Sequence, residues 1–241
     1  MLTEIITAMQ GKIALVVGAT GGIGGAVTQE LVQAGAKVVA AGRNHDRLAQ
    51  LVQKYPSVYP VATDITDFQQ VHTLFQAVSD RYGSLDMVIN CAGAGIMKQF
   101  NKLEPADLDW MVDVNLKGCF YVTQTACQFL KEKRSGHICN VIGILGKHSM
   151  PMATAYCASK FGAVGLTKCI AEEVKRLGIK ITIFYLGGVD TPFWDHANLK
   201  VDRAKMLSPQ QAARSIMFAL SCDPVAVPME INIQPESHLF F

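Results

Sequence analysis

The chain has 241 residues, 50% of them hydrophobic and 17% charged, with a formal net charge of +2. That balance excludes a disordered chain and predicts a large buried core. The weak positive charge argues against nucleic acid or an anionic membrane as partner, and no apolar run reaches the length of a membrane span.

Taken in chain order, β-rich runs alternate with helical stretches. Residues 12–17 form the first run, followed by a glycine-rich turn and a helical stretch at 26–34. A strand at 37–41, a helix at 47–53, a strand at 58–61, a helix at 68–81 and a strand at 85–89 follow. The second half continues with a helix around 107–129, a strand at 137–142, a long helix at 153–177, and strands at 180–184 and 229–233. The first six strands read as nearly continuous apolar runs, the pattern of parallel strands covered on both faces. This alternation predicts an α/β fold: a doubly wound parallel sheet of about seven strands with right-handed crossovers and helices on both faces. Nothing marks a linker, so residues 1–241 read as one domain. Residues 192–207 lack periodicity and read either as a lid over a pocket or as a solvated connection.

The first ten residues carry Glu4 and no basic start, so they do not read as a signal peptide. The seven cysteines form no C-x-x-C pair and show no metal-ligand spacing. They read as small buried hydrophobes in a reducing, cytoplasmic setting, and no metal is expected.

Chemistry-bearing signals begin at Gly18-Ala19-Thr20-Gly21-Gly22-Ile23-Gly24, between the first strand and first helix. Glycines there permit a sharp turn and a close approach to a pyrophosphate, which the helix N-terminus then holds. The alternative is an ordinary glycine-rich turn, and the spacing is not the commonest dinucleotide fingerprint. Tyr156 and Lys160 form the second signal, four residues apart on one face of the long helix. A nearby cation stabilises a phenolate, so Lys160 is positioned to move Tyr156 toward a useful acid–base pKa.

Together with Asp64, Asn90-Cys91-Ala92-Gly93, Asn115 and Gly187-Gly188-Val189-Asp190-Thr191-Pro192, these motifs resemble the short-chain dehydrogenase/reductase family over nearly the whole chain. The resemblance implies a Rossmann fold and a nicotinamide-dependent oxidoreductase acting on a small-molecule carbonyl or alcohol. It places Gly18, Gly22, Ile23 and Gly24 at the pyrophosphate, Asp64 at the adenine, and Asn90 and Gly93 on the adenosine side. It makes Tyr156 the proton carrier and Lys160 the holder of the nicotinamide ribose. Asn115 anchors a water in the relay, and Val189 and Thr191 face the carboxamide. Asn90 and Asn115 also fit a plain role stabilising strand and helix ends.

Three departures stand out: Gly143 where the family has its catalytic serine, Leu186 for a proline, and Cys91 for an asparagine. Losing a donor of the serine's kind typically costs about 2.7–4 kcal/mol of transition-state stabilisation. Three explanations stay open. His148 or Ser149 of the following loop replaces the hydroxyl; the substrate or a water fills the space; or the chain binds cofactor without efficient turnover, as a regulatory or scaffold protein.

The second strand ends Ala41-Gly42-Arg43, with glycine where NAD-binding relatives place an acid and a guanidinium next to it. That combination points to NADP(H) in preference to NAD(H). A largely apolar pocket is expected from Ile96, Met97, Leu145, Met150, Met152, Phe193 and Trp194, beside Gly143, His148 and Ser149. Apolar residues on more than one side of the two long helices, including Phe120, Phe129, Phe161, Val164 and Leu166, suggest a homodimer or homotetramer.

Overall fold

The computed structural model describes residues 2–197, 199–237 and 239. The first half of the chain runs α1 (Leu2–Met9), β1 (Ile13–Val17), α2 (Gly22–Gln33), β2 (Lys37–Gly42), α3 (His45–Lys54), β3 (Tyr59–Ala62), α4 (Phe68–Tyr82) and β4 (Met87–Asn90). The second half runs α5 (Pro105–Val112), α6 (Gly118–Lys133), β5 (Gly136–Val141), α7 (Thr154–Val174), β6 (Ile179–Leu186), α8 (Phe193–His196), α9 (Pro209–Ser221) and β7 (Glu230–Ile233). All strands pair in parallel in one sheet of order β3-β2-β1-β4-β5-β6-β7. The order reverses beside β1, and the C-terminal ends of β1 and β4 therefore open a crevice where parallel α/β sheets place their ligands.

Two apolar layers hold the sheet. Along β1, Ala14 and Val16 join a layer with Leu31 of α2 and Ile216 of α9, while Ile13, Leu15 and Val17 join Leu74 and Phe75 of α4 and Val122 of α6. Residues such as Leu15 and Phe75 are fully buried, each contributing about 1.5–3 kcal/mol by leaving water. The outermost strand β3 departs from the expected continuous apolar run: alternate residues are exposed, because an edge strand is covered less completely than a central one. Helices α1 and α9, absent from the sequence reading, pack on each other. Ser208 and Gln211 cap α9 reciprocally, with Pro209 at its first turn.

All seven cysteines are free thiols; Cys119, Cys139 and Cys157 are buried as expected, but Cys169 is exposed on α7. Among the described residues no helix is long and apolar enough to cross a membrane. Of the helix residues singled out for assembly, Phe161 is exposed, whereas Phe129, Val164 and Leu166 are partly buried against the chain's own core. Phe129 stacks on Phe75 at 5.4 Å, and that intramolecular contact accounts for its apolar character.

Candidate active site

A cavity of 870 Å³ lies beyond the C-terminal ends of the strands, bounded by the turn after β1, the stretch after β4, the stretch after β5, the start of α7 and the segment after β6. At one end Thr20, Gly21, Gly22, Ile23 and Gly24 line it. No side chain caps the N-terminus of α2, leaving first-turn amides without a side-chain partner where a phosphate would be held. Glycine at 22 is required by close approach: a Cβ there would stand 2.4 Å from Thr191 Cγ2. This turn therefore packs directly against the segment after β6, and both Val189 and Thr191 of that segment line the cavity.

Gly18, Asp64 and Asn90 do not line the cavity. Gly18 presses on the Ala92 backbone, Asp64 accepts from the Thr66 amide at 3.0 Å and hydroxyl at 2.8 Å, and Asn90 accepts from the Ala92 amide at 3.2 Å. Gly93 lines the cavity close to Lys160, whose Nζ would stand 3.2 Å from a Cβ at that position. Beside Thr20, at the end of β2, Arg43 lines the wall as expected, joined by Arg47, which the sequence reading missed.

Tyr156 and Lys160 project from adjacent turns of α7 into the same cavity, with the ammonium 5.5 Å from the phenol ring centroid. Burial raises the Tyr156 phenol well above its ordinary value, and Cys157 adds to the shift. Burial pulls the Lys160 ammonium down from 10.5 to about 8, with Cys119 opposing. The pair thus brings a cation beside the phenol but leaves the phenol itself hard to ionise while water is the only other occupant.

Asn115 sits in a π-turn (Asp113–Lys117) that interrupts the run from α5 to α6, an irregularity frequent at functional sites. Its amide nitrogen donates to Ala94 O at 2.7 Å and to Ser159 Oγ at 3.0 Å, and its oxygen accepts from the Ala94 amide at 2.9 Å. Both amide hydrogens are therefore committed, and the side chain locks the stretch after β4 to α7. Ser159, also missed from sequence, completes the lock by donating to Tyr156 O at 2.8 Å.

Gly143 lies on the cavity wall at φ 95°, a left-handed conformation that a serine rarely adopts. A Cβ there would meet only Leu186 O at 3.6 Å and Tyr156 Oη at 3.9 Å, so the position faces the phenol with room to spare. Of the residues expected around it, Met97, Leu145, Met150, Phe193 and Trp194 line the cavity. Ile96, Met152, His148 and Ser149 are not on that wall; His148 and Ser149 follow a short 3-10 helix (Ile144–Gly146), and the His148 carbonyl accepts from Cys157 Sγ at 3.7 Å.

Residues 192–197 and 199–207 form the roof. Pro192, Phe193, Trp194, His196, Leu199 and Lys200 line the cavity from it. Arg203 pins the roof down, pairing with Asp190, with Asp195 at 2.7 Å and with Thr191 O at 3.1 Å. Trp194 donates to Val189 O at 2.8 Å, and Phe193 packs on Tyr156 at 5.9 Å between ring centroids. Among the described residues no three His, Cys, Asp or Glu side chains gather to hold a metal.

Residues 12–202 match the family described as short chain dehydrogenase. An uncharacterized oxidoreductase of Staphylococcus aureus strain N315 is 35% identical over 232 residues, covering 95% of this chain and 100% of that protein. An alcohol dehydrogenase of the archaeon Thermococcus sibiricus complexed with 5-hydroxy-NADP superposes with a TM-score of 0.86 at 22% identity, over 96% of this chain and 100% of the other. A 3-ketoacyl-(acyl-carrier-protein) reductase of Brucella melitensis complexed with NADH gives 0.87 at 23% identity, over 95% and 98%. These structural likenesses establish the Rossmann-like fold; their cofactors differ and do not decide which one this chain takes.

Proposed function

The chain belongs to the short chain dehydrogenase family, and from that premise we propose that it interconverts a carbonyl and an alcohol with NADP(H), Tyr156 carrying the proton and Lys160 supporting it. The observation that carries this reading is the convergence, in one cavity, of the open glycine turn, Arg43, and the Tyr156–Lys160 pair. Bound at this cleft, the nicotinamide would supply or accept the hydride. Gly21 to Gly24 and the first amides of α2 fit its pyrophosphate, and Lys160 fits the ribose next to the ring, with Gly93 beside it rather than on the adenosine side expected from sequence.

The chain's own part is proton management. In the reducing direction Tyr156 Oη gives its proton to the oxygen on which negative charge develops, and the phenolate left behind is stabilised by the Lys160 ammonium. With its pKa near 8, Lys160 is mostly charged at neutral pH. Asn115 and Ser159 act as positioning residues, fixing the α7 turn from which the phenol projects. The roof 192–207 serves as the lid that keeps water from this centre.

Gly143 supplies no hydroxyl to the reacting oxygen. His148 and Ser149 are absent from the cavity wall, which speaks against either as its replacement, and the other hydroxyls on the wall belong to Thr20, Thr191 and Ser237. Ser237 donates to Lys205 O, and the part of Thr191 that meets Gly22 is its methyl group. On this reading the space facing Tyr156 takes the substrate's own group or water. The missing donor also supports a second reading, a cofactor-binding regulator without turnover.

Tyr156→Phe separates the two. The reductase reading expects hydride transfer to a carbonyl panel to disappear while NADPH binding, followed by nicotinamide fluorescence, is unchanged. NADPH oxidation that is absent in the parent, or unaltered in the variant, defeats it. A homodimer or homotetramer is the assembly proposed, with exposed Phe161 and Leu108 on the α5–α7 side; a monomer by light scattering refutes it.

A further inference from the structure

Strand β6 outruns its neighbour beside the phenol. The last register pair between β5 and β6 is Val141 with Phe184, and β6 continues to Leu186. Successive residues of a strand turn their amide and carbonyl to opposite neighbours. Along β6 the amides of Ile183 and Gly187 donate to β7 and the residue before it, reaching Met229 O at 3.0 Å and Ile233 O at 2.8 Å. Phe184 O faces the other way and accepts from the Ile142 and Gly143 amides, at 3.0 Å each. Leu186 is in phase with Phe184, so its carbonyl faces the space beyond the end of β5, where the chain turns off at Gly143. The distances agree. Apart from the chain neighbours of Gly143, only Leu186 O, at 3.6 Å, and Tyr156 Oη, at 3.9 Å, lie within 4 Å of where its Cβ would stand.

This space therefore offers its occupant a carbonyl acceptor and a phenol, while the Gly143 amide is already spent on Phe184 O. The surrounding cavity wall is apolar and aromatic, from Met97, Trp110, Leu145, Met150, Phe193 and Trp194. A carbonyl covered by a ligand without a donor loses its hydration and gains nothing, so the space selects a hydroxyl over an ether, a second carbonyl or a methylene. One point of the space touches both atoms, so a substrate carbonyl at Tyr156 and a hydroxyl at Leu186 O sit on adjacent carbons. The hydroxyl oxygen also withdraws electrons from the carbonyl carbon, which eases hydride addition where Gly143 supplies no donor.

We infer that the site takes α-hydroxyketones with an apolar body and the corresponding vicinal diols, the non-reacting hydroxyl donating to Leu186 O. The inference rests on the carbonyl/alcohol reading above. In the reducing direction the carbonyl carbon gains a hydride from the reduced nicotinamide and its oxygen gains the Tyr156 proton. The C=O π bond breaks, C–H and O–H bonds form, the cofactor is left oxidised, and the phenolate regains its proton from solvent. The non-reacting hydroxyl is unchanged.

The test compares α-hydroxyacetophenone, α-methoxyacetophenone and acetophenone, and the same three functions on a hexane chain, by kcat/KM with NADPH and with NADH. The methoxyketone keeps the electron withdrawal but has no O–H to give. A hydrogen bond of this kind, left unmade, costs roughly ten- to a hundredfold, and the hydroxyketone is expected to lead the methoxyketone by that factor. Binding is read separately in Tyr156→Phe with oxidised cofactor, by quenching of Trp110 and Trp194, the chain's two tryptophans, both on the cavity wall. Styrene glycol should bind more tightly, by the same factor, than its terminal methyl ether or α-phenylethanol. Gly143→Ala puts a methyl group into the space and should collapse the hydroxyketone preference, a ratio that is insensitive to the fraction of protein folded. A parent that oxidises neither cofactor with any carbonyl overturns the reductase reading, and this inference with it. Reduction of other carbonyls but of neither set overturns the inference alone. So does a plain ketone or methoxyketone that matches the hydroxyketone, equal binding of the three alcohols, or a preference that survives Gly143→Ala.

Discussion

Replacing Lys160 by methionine should stabilise the cofactor-free protein while abolishing its chemistry. Lys160 is only 4% exposed, and its ammonium forms no ion pair among the described residues. Burial brings its pKa from 10.5 to about 8. Difficulty in keeping the charge once folded is a stability cost, and at about 1.4 kcal/mol per pH unit the gap amounts to about 3 kcal/mol. Its sign follows from proton counting. The unfolded chain holds the proton up to 10.5 and the folded chain releases it near 8, so the cost is full below the lower value. It fades as pH rises between the two. Methionine is unbranched like lysine and leaves no hydrogen-bond partner stranded. The variant should therefore gain up to about 3 kcal/mol near neutrality, an advantage that shrinks toward zero at about pH 10.5. Urea unfolding followed by tryptophan fluorescence across this range reads it directly, provided the m-values agree. A variant no more stable than the parent at neutral pH, or one whose advantage ignores pH, would refute the reasoning.

Burial also holds His137 at about 4 instead of 6.5, its Nε2 2.8 Å from Thr182 Oγ1. The native state resists protonation there, so acidification from 6.5 to about 4 should remove about 3 kcal/mol of stability, and His137→Gln should abolish that part of the acid slope in urea midpoints. An unaltered slope contradicts the buried, neutral imidazole. Gly143→Ala and Gly143→Ser should each destabilise by about 1–3 kcal/mol because φ is 95°, even though a Cβ has space. Unchanged melting temperatures would dispose of the backbone argument.

Much of this architecture is legible from the chain because strand and helix periodicities differ, and all seven strands lie close to where the apolar runs put them. The glycine turn and Tyr156–Lys160 are legible for a related reason: each depends on local spacing that survives folding unchanged. What escaped was decided by tertiary neighbours. Helix α9 had a readable start in Ser208-Pro209-x-Gln211, but its reason to exist, packing on α1 and α2, appears only in space. Ser159 stands between the two expected site residues, yet its role depends on Asn115, 44 positions earlier. His148 and Ser149 show the converse. Their nearness in sequence to Gly143 suggests a replacement donor, yet after the 3-10 helix neither stands on the cavity wall.

The departures from regular structure concentrate around the phenol. Gly143 takes a left-handed φ, Asn115 sits in a π-turn, and Lys160 keeps a buried charge with no counter-ion among the described residues. Each is unfavourable by itself, and each borders the cavity or fixes a residue that does. A chain selected only for folding would relax all of them: serine or alanine with ordinary φ, an uninterrupted helix, an apolar residue at 160. Their survival in one place fits the proposed proton transfer, in which a phenolate formed at Tyr156 would offset the Lys160 charge. The buried ammonium does not distinguish the two readings of Gly143, because a cofactor-binding regulator would also use Lys160 to hold the nicotinamide ribose. They separate at the phenol: only an enzyme loses hydride transfer when Tyr156 becomes phenylalanine while its cofactor binding stays intact.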